Sequence, residues 1–230
     1  MQQKVRVIIP AYNEERSISK VISEIPKNLI EEVIVVNNGS CDQTANTAEK
    51  AGATVITEQK KGYGYACLEG MSHIRLNSNE ETDIIVFIDG DYSDYPDEMG
   101  KIIDPIINEE ADMVIGSRAL GNRERGSMTP QQVFGNWLST KLLKWMYGVI
   151  FTDLGPFRAI RWNSLENMKM EDKTFGWTVE MQLKAAKMGL RCTEVPVSYR
   201  KRIGKSKVSG TLKGTIMAGY KILWTIFKYK

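Results

Sequence analysis

Asp89 and Asp91 stand one residue apart, directly after the apolar run of residues 84–88. Two carboxylates at this spacing repel each other unless a cation shares them. Their oxygens suit a hard divalent ion that keeps several waters and takes substrate phosphates in its remaining positions. The pair therefore predicts a site for Mg²⁺ or Mn²⁺ beside a phosphate-bearing substrate. Asp94 comes two residues before Pro96, and we predict that Asp94 caps the helix that begins there.

The hydrophobic pattern indicates the elements that must position this pair. β-branched runs at 4–10, 31–37, 53–58, 83–89 and 111–117 predict strands, and helical patterns separate them. Apolar strands that alternate with helices are typical of an α/β fold with a mostly parallel, Rossmann-like sheet flanked by helices. Ligands of such sheets bind beyond the carboxyl ends of the strands. With 230 residues and 42% hydrophobic content, the chain fits one globular domain with a sizeable core.

The ends of the second and third predicted strands carry weaker signals. Asn38 follows the second strand, and Lys61, Gly62 and Gly64 follow the third. The two glycines can let backbone amides approach an anion, or they can form a plain turn. The stretch is not a dinucleotide fingerprint, because Cys67 replaces the third glycine and the stretch does not follow the first strand.

Five motifs occur in one order along the chain: IIPAYNEE at 8–15, NNGS at 37–40, KKGYGYA at 60–66, DGD at 89–91 and GSR at 116–118. In this order and spacing they resemble the family-2 glycosyltransferases. The resemblance is closest to the polyprenyl-phosphate sugar transferases of the dolichol-phosphate mannose and glucose synthase type. It implies a GT-A fold, a nucleotide-diphosphate sugar donor and a divalent metal.

The resemblance also implies a set of donor-binding residues, with Asp89 and Asp91 as the metal ligands. The expected nucleotide-sugar-binding residues are Pro10, Ala11, Tyr12, Glu14, Asn38, Lys61, Gly62, Asp89, Gly90 and Asp91. Relatives commonly carry an aspartate in the turn that this chain writes as Asn37 and Asn38. An asparagine carbonyl serves the paired N–H donors of guanine less well than a carboxylate does. We therefore favour a UDP-sugar slightly over GDP-mannose, which stays an alternative.

The second half of the chain carries the expected acceptor side. For Arg118 the family match favours a phosphate contact, whereas a solvated basic loop is an equal alternative for Arg123 and Arg125. TDLGPFRAIR at 152–161 resembles the family's Asp-x-x-Gly-Phe-Arg segment, although a proline intervenes here. The expected acceptor or diphosphate ligands are Arg118, Arg123, Arg125, Arg200, Arg202, Lys205 and Ser206. The expected catalytic residues are Asp91, Arg118, Asp153 and Glu180.

The acceptor decides whether a general base is needed. A hydroxyl acceptor requires one, and Asp153 and Glu180 are the candidates. A lipid phosphate has a second pKa of about 6 and is already an anionic nucleophile. We favour an inverting transferase that moves a hexose to a polyprenyl phosphate. Transfer to a hydroxyl on a soluble molecule or glycan is the alternative, and a non-catalytic nucleotide-sugar-binding scaffold at the membrane is a third reading.

Two apolar segments, 133–151 and 211–230, favour a lipid acceptor. On a helix Ile216, Tyr220 and Phe227 share one face, which is the pattern of an amphipathic helix lying in a membrane interface. Core packing or a homodimer seam are the alternatives. Residues 200–230 hold nine Lys or Arg and no Asp or Glu, so the first 199 residues carry a net charge of +3 − 9 = −6. The aromatics of this basic tail form no stacking platform for nucleic acid.

The expected domain plan follows the same division. A GT-A domain covers 1–210, with a nucleotide-sugar-binding half at 1–118 and an acceptor half at 119–210, and the amphipathic helix covers 211–230. Three widely spaced cysteines without a CxxC pair indicate a reducing compartment. We expect a peripheral protein on the cytoplasmic face of the membrane.

Overall fold

A computed structural model describes residues 3–77, 82–204 and 212–229. The expected ligands Lys205 and Ser206 lie outside the described residues. Within the described ranges, seven strands form one sheet with the order β3-β2-β1-β4-β6-β5-β7. The strands are β1 (Val5–Ala11), β2 (Glu32–Asn37), β3 (Thr54–Thr57), β4 (Ile84–Phe87), β5 (Met113–Ser117), β6 (Arg158–Arg161) and β7 (Cys192–Pro196). All neighbouring strands pair in parallel except at β6, which is antiparallel to β4 and β5.

The five strands expected from the apolar runs are all present. β4 and β5 are buried along their whole length, as central strands with helices on both faces must be. Both expected halves contribute strands to this one sheet. β7 was not expected, because the stretch CTEVP has little apolar character and forms a partly exposed edge strand.

Helices cover both faces of the sheet, with a separate apolar core on each face. They are α1 (Ile18–Glu24), α2 (Thr44–Lys50), α3 (Tyr63–Asn77), α4 (Met99–Ile107), α5 (Pro130–Tyr147), α6 (Trp162–Met168), α7 (Trp177–Lys187) and α8 (Leu212–Lys228). A short 3₁₀ turn, Pro96–Glu98, precedes α4. No described helix is long and apolar enough to span a bilayer.

α5 and α8 pack side by side over one face of the sheet. Thr129 and Gln132 form a capping box that begins α5, and Gly148 ends it in the left-handed conformation. Near its end, the Tyr147 hydroxyl donates a hydrogen bond to the Ile226 carbonyl of α8. Ile226 is fully buried, so one side of the C-terminal helix belongs to the core.

The loop at 171–173 lies directly against the start of α3. A Cβ built on Gly64 would stand 2.0 Å from the Asp172 carbonyl oxygen, and one on Gly62 would stand 2.2 Å from the Lys173 carbonyl oxygen. The Lys173 carbonyl also accepts the Tyr65 N–H at 3.1 Å. Glycine is therefore required here by the close approach of two backbones.

Substituting Gly64→Ala should destabilise the fold by about 1–3 kcal/mol, because the added methyl group collides with backbone that cannot turn aside. Chemical denaturation measures the change. Gly135→Ala is the matched control, because a Cβ there meets nothing within 4 Å and alanine favours a helix more than glycine does. Equal stability of the two variants would contradict the packing argument.

Candidate active site

A cleft of about 400 Å³ opens at the carboxyl ends of β1, β4 and β5. Its walls come from both expected halves of the chain and from α5 and α8. Eight of the expected site residues line it: Pro10, Tyr12, Glu14, Asp89, Gly90, Asp91, Arg118 and Arg202. Residues of the expected donor-binding set and two arginines of the expected acceptor set therefore line the same cleft, at the strand ends where the sequence predicted a ligand site.

Asp89 and Asp91 lie at the floor of this cleft. Asp91 Oδ1 accepts the Ser93 N–H at 2.9 Å and the Ser93 hydroxyl at 2.5 Å, and Arg202 ion-pairs with Asp91 Oδ2. Asp89 Oδ1 is buried and has no hydrogen-bond partner among the described residues. Burial and the Asp91 charge raise the pKa of Asp89 to about 7. A buried, unbonded carboxylate oxygen beside a second carboxylate fits a divalent metal, which would relieve this repulsion.

The turn after Asp91 is strained and is held by Arg200. Tyr92 has φ +66°, an uncommon conformation for a bulky residue. The Arg200 guanidinium lies 3.4 Å from the Tyr92 ring centroid, donates to the Tyr92 carbonyl at 2.8 Å and pairs with Glu24 at 2.6 Å. Arg200 was expected to bind acceptor or diphosphate. Its contacts instead make it a positioning residue for the turn that carries Asp91.

Arg118 enters the cleft from the end of β5, and Asp153 fixes its orientation. Arg118 Nε and Nη2 donate to the two Asp153 oxygens at 2.8 and 2.7 Å, and the Arg118 N–H donates to Asp153 at 2.8 Å. The guanidinium also lies 5.0 Å from the Tyr199 ring centroid. Burial tends to raise the pKa of Asp153, but the charge and the hydrogen bonds of Arg118 together outweigh it and hold the pKa below its usual value.

Asp153 is therefore badly suited to act as a base. Its carboxylate is about 1% exposed, both oxygens bond Arg118, and its pKa is lowered. The geometry makes Asp153 a holder of Arg118, and the expectation of a proton-abstracting role is not supported.

Glu180 was the other expected base, and its carboxylate is fully buried and occupied. It accepts the backbone N–H groups of Glu171 and Asp172 at 2.9 and 2.6 Å, and the Tyr229 hydroxyl at 2.7 Å. Lys184 adds an ion pair at 2.7 Å. Glu180 does not line the cleft. The geometry does not support the expected catalytic role, because Glu180 ties the 171–172 loop and the end of α8 to α7.

Asn38 and Gly62 do not line the cleft, and their hydrogen bonds hold the loop at 58–62 in place. Asn38 Oδ1 accepts the Gly62 N–H at 2.7 Å, and its amide donates to the Glu58 and Lys60 carbonyls at 3.1 and 2.8 Å. Because Asn38 satisfies this loop, it is a poor discriminator between nucleobases. The Gly62 N–H already donates to Asn38, so it is not available to bind an anion.

Lys61 extends from the loop that Asn38 holds to the cleft residue Tyr12. Lys61 Nζ lies 3.0 Å from the Tyr12 hydroxyl and 4.7 Å from its ring centroid. Ala11, also expected at the nucleoside pocket, is buried in β1 and does not line the cleft, although its carbonyl accepts the Asn38 N–H at 2.8 Å. Arg123 and Arg125 are exposed and do not line the cleft either. The solvated-loop alternative describes both arginines better.

The prediction that Asp94 caps a helix is wrong. Tyr95 precedes the 3₁₀ turn without a side-chain cap, and α4 begins without one. Both Asp94 carboxyl oxygens are buried and have no partner among the described residues. Burial and the Asp89 charge raise the pKa of Asp94 well above its usual value. The segment 199–200 pairs with 93–94 and buries this side chain, a contact that local sequence does not reveal.

Sequence reasoning missed the walls supplied by distant helices. Gln132 and Asn136 of α5, Trp177 of α7 and Ile222 of α8 all line the cleft. Phe87 packs edge-on against Trp177 at 5.9 Å, so the wall is joined to the floor strand. The apolar character of segments 133–151 and 211–230 was the available signal, but periodicity alone does not show which side faces a cleft.

The fold and the position of the cleft agree with the result of the family comparison. Residues 6–168 match the model of glycosyl transferase family 2. The chain belongs to this family and is a glycosyltransferase with a GT-A fold. This confirms the resemblance carried by the five motifs.

Individual relatives support the same class. An uncharacterised glycosyltransferase of Mycobacterium tuberculosis is 33% identical over 216 residues, covering 93% of this chain and 94% of its own length. Undecaprenyl-phosphate mannosyltransferase of Micrococcus luteus is 28% identical over 223 residues, covering 92% and 90%. Glucosyl-3-phosphoglycerate synthase of M. tuberculosis, solved with Mn²⁺, UDP-glucose and phosphoglyceric acid, has a TM-score of 0.77 and 21% identity, covering 99% of this chain and 79% of that one. The last likeness concerns the fold.

The raised pKa of Asp94 predicts a pH-dependent stability. The folded chain keeps a proton that the unfolded chain loses above about pH 4. Stability contributed by this group is therefore present below about pH 4 and is lost as the pH rises through the folded-state pKa. Asn cannot ionise, so Asp94→Asn should gain stability relative to the parent chain as the pH rises.

Urea unfolding in EDTA at about pH 4.5, 6 and 7.5 measures this difference. Asp97→Asn, an exposed neighbour, is the control and should show a flat difference. If the gain for Asp94→Asn stays constant or shrinks with rising pH, Asp94 is not held as a neutral acid.

Proposed function

We propose that this glycosyltransferase moves a hexose from a nucleotide-diphosphate sugar to a polyprenyl phosphate at a membrane surface, with inversion at the sugar C1. The observation that carries the proposal is the continuity of the cleft with an apolar groove between α5 and α8. Gln131, Gly135, Gly219 and Ile222 line both cavities. A charged acceptor head fits the polar cleft, and an attached hydrocarbon chain fits the adjoining apolar groove.

Asp89 and Asp91 would hold Mg²⁺ or Mn²⁺, which when bound neutralises charge on the donor diphosphate and on the departing nucleoside diphosphate. Arg202 adds a cation beside Asp91 on the cleft wall. Tyr12, Glu14 and Pro10 line the end of the cleft nearest β1 and would contact the nucleoside. The residues of the chain thus orient the donor and stabilise the leaving group.

Arg118 would bind the acceptor phosphate. A guanidinium that is already oriented by two bonds to Asp153 presents its remaining N–H groups with little loss of freedom. One phosphate oxygen attacks C1 as the bond from C1 to the diphosphate oxygen breaks. No proton has to be removed, because the acceptor phosphate is already ionised. This agrees with the contacts of the two expected bases, because the carboxylates of Asp153 and Glu180 are already ion-paired and hydrogen-bonded within the protein.

Transfer to a hydroxyl is the alternative and makes a different demand. It requires a base, and Asp153 would have to release Arg118 to serve. The name of the M. luteus relative describes an undecaprenyl-phosphate mannosyltransferase, which favours the lipid acceptor for this chain as well.

Sugar transfer by this chain should depend on a divalent metal ion. Purified protein with Mg²⁺ or Mn²⁺ should transfer sugar from one of UDP-glucose, UDP-galactose, UDP-N-acetylglucosamine or GDP-mannose to a polyprenyl phosphate, and EDTA should stop it. The donor screen is broad because Asn38 does not decide the base. Asp91→Asn should lower kcat/KM by about 100-fold or more, since it removes a charge from the site that orients the diphosphate.

Asp97→Asn, an exposed acid six residues further on, should retain full activity as the matched control. Asp153→Asn distinguishes the two acceptor readings. A holder of Arg118 changes mainly KM for the acceptor, whereas a base changes kcat and the pH profile. No turnover of any donor, with or without the lipid phosphate, would refute the proposed activity.

Membrane attachment is proposed to be mainly apolar. Phe134, Trp137 and Trp145 of α5 are exposed, as are Ile216, Tyr220, Trp224 and Phe227 of α8. Two lysines of the basic segment 200–230 are already paired: Lys221 with Asp172 at 3.0 Å, and Lys228 with Glu171 at 2.9 Å. These pairs reduce the attraction that the basic segment would otherwise have for anionic lipid. The cytoplasmic face stays part of this proposal.

Vesicle sedimentation tests the proposed surface. Trp145→Glu and Phe227→Glu should each weaken binding to anionic liposomes by about tenfold or more, because a charge replaces buried apolar area in the interface. Ile107→Glu on α4, whose core contacts lie on the other face of the sheet, is the control. Binding of the parent chain should persist at about 1 M salt, where charge attraction is screened. Release at high salt would favour an electrostatic attachment.

A further inference from the structure

Two glycines stand where the catalytic cleft meets the apolar groove. Gly135 lies in α5 and Gly219 lies in α8, and each lines both cavities. The groove has a volume of about 530 Å³, and Phe134, Leu138 and Leu223 form much of its apolar lining. At the junction of the two cavities, each of the two helices therefore contributes a residue without a side chain.

Neither glycine is explained by the fold. Apart from the neighbouring backbone of its own helix, a Cβ at Gly135 or Gly219 would meet no atom of the described residues within 4 Å, and neither glycine has a positive φ. Among the glycines whose surroundings the structure describes, only these two combine open space with ordinary helical backbone. A glycine inside a helix costs roughly 0.5–1 kcal/mol relative to alanine. Local structure alone would favour a larger residue at both positions.

The junction is also fixed relative to the proposed phosphate ligand. Asn136, next to Gly135, donates to the Thr152 carbonyl at 2.9 Å, and its Oδ1 accepts the Leu154 N–H at 2.9 Å. Asp153, between these two, holds Arg118. The start of the groove and the guanidinium thus belong to one hydrogen-bonded unit, which sets the position of a lipid chain relative to its phosphate.

We propose that Gly135 and Gly219 form the passage through which the hydrocarbon chain of the acceptor leaves the cleft, so that side-chain size at these positions determines the acceptor's chain length. The occupant is the first part of the polyprenyl chain, next to the phosphate. Exposed Phe134 and Trp137, 5.9 Å apart between ring centroids, continue the apolar surface outward from the groove. This inference rests on the proposed polyprenyl-phosphate acceptor and adds the residues that select it.

The test compares two acceptors in detergent, a long-chain polyprenyl phosphate and a five-carbon isoprenyl phosphate. Gly135→Leu and Gly219→Leu should each lower the ratio of kcat/KM for the long acceptor to that for the short one by about tenfold or more. Gly135→Ala should lower it much less, since one methyl group leaves the passage open. Lys141→Leu introduces the same side chain at an exposed position of α5 that lines neither cavity, and it should keep the parent ratio.

The outcomes separate this inference from the function on which it rests. If the parent chain transfers sugar to the long acceptor and both leucine variants keep its chain-length ratio, the passage is overturned and the function stands. If the parent chain uses neither acceptor, both fail. Thermal unfolding checks that each variant is folded, and leucine favours a helix more than glycine. Should one leucine variant unfold, the other helix supplies the second measurement, and Gly135→Val gives an intermediate size.

Discussion

The buried ion pair between Arg118 and Asp153 is the constraint on which the acceptor side of the structure depends. Breaking such a pair by removing one partner costs about 3–5 kcal/mol, because the remaining charge is left in a poorly solvated place. Residues on or next to four elements, β5, β7, α5 and α7, hold this ion pair in position. Glu194 of β7 accepts the Thr152 and Asp153 N–H groups at 2.8 and 3.1 Å, Gln182 of α7 donates to the Asp153 carbonyl at 2.9 Å, and Asn136 ties in α5. β5 supplies Arg118 itself.

This arrangement explains why an acidic residue beside the cleft need not be a base. A carboxylate that orients a guanidinium is most effective when ionised, and Arg118 keeps the pKa of Asp153 low. A general base works best with a pKa near the working pH, so the two roles oppose each other at one residue. The low pKa of Asp153 is therefore consistent with the proposed acceptor, which arrives with its own negative charge.

The sequence predicted the sheet and its reactive edge well, and predicted side-chain roles less well. Apolar strand runs and the strand-end rule located Asp89, Asp91 and Arg118, because both signals are local in the chain. The surroundings of Arg200 and Asp94 were not foreseen, for one physical reason. Their roles depend on partners far away in sequence, such as Glu24 for Arg200, or on burial by a distant segment. The sequence did not distinguish a plain turn from an anion-binding loop at Gly62 and Gly64, because the backbone that contacts them, at 171–173, is distant in the chain.

The segment 199–203 shows how scaffold and reactive group share one short stretch of chain. The Arg200 N–H donates to the Ser93 carbonyl at 2.9 Å, and the Ile203 N–H donates to the Asp91 carbonyl at 3.0 Å. Arg202 lies between these two bonded residues, and it forms an ion pair with the Asp91 carboxylate. Arg200 stabilises the strained Tyr92 conformation, while Arg202 brings a cation into the cleft. One short stretch of basic chain therefore braces the turn that carries Asp91 and brings a cation to its carboxylate.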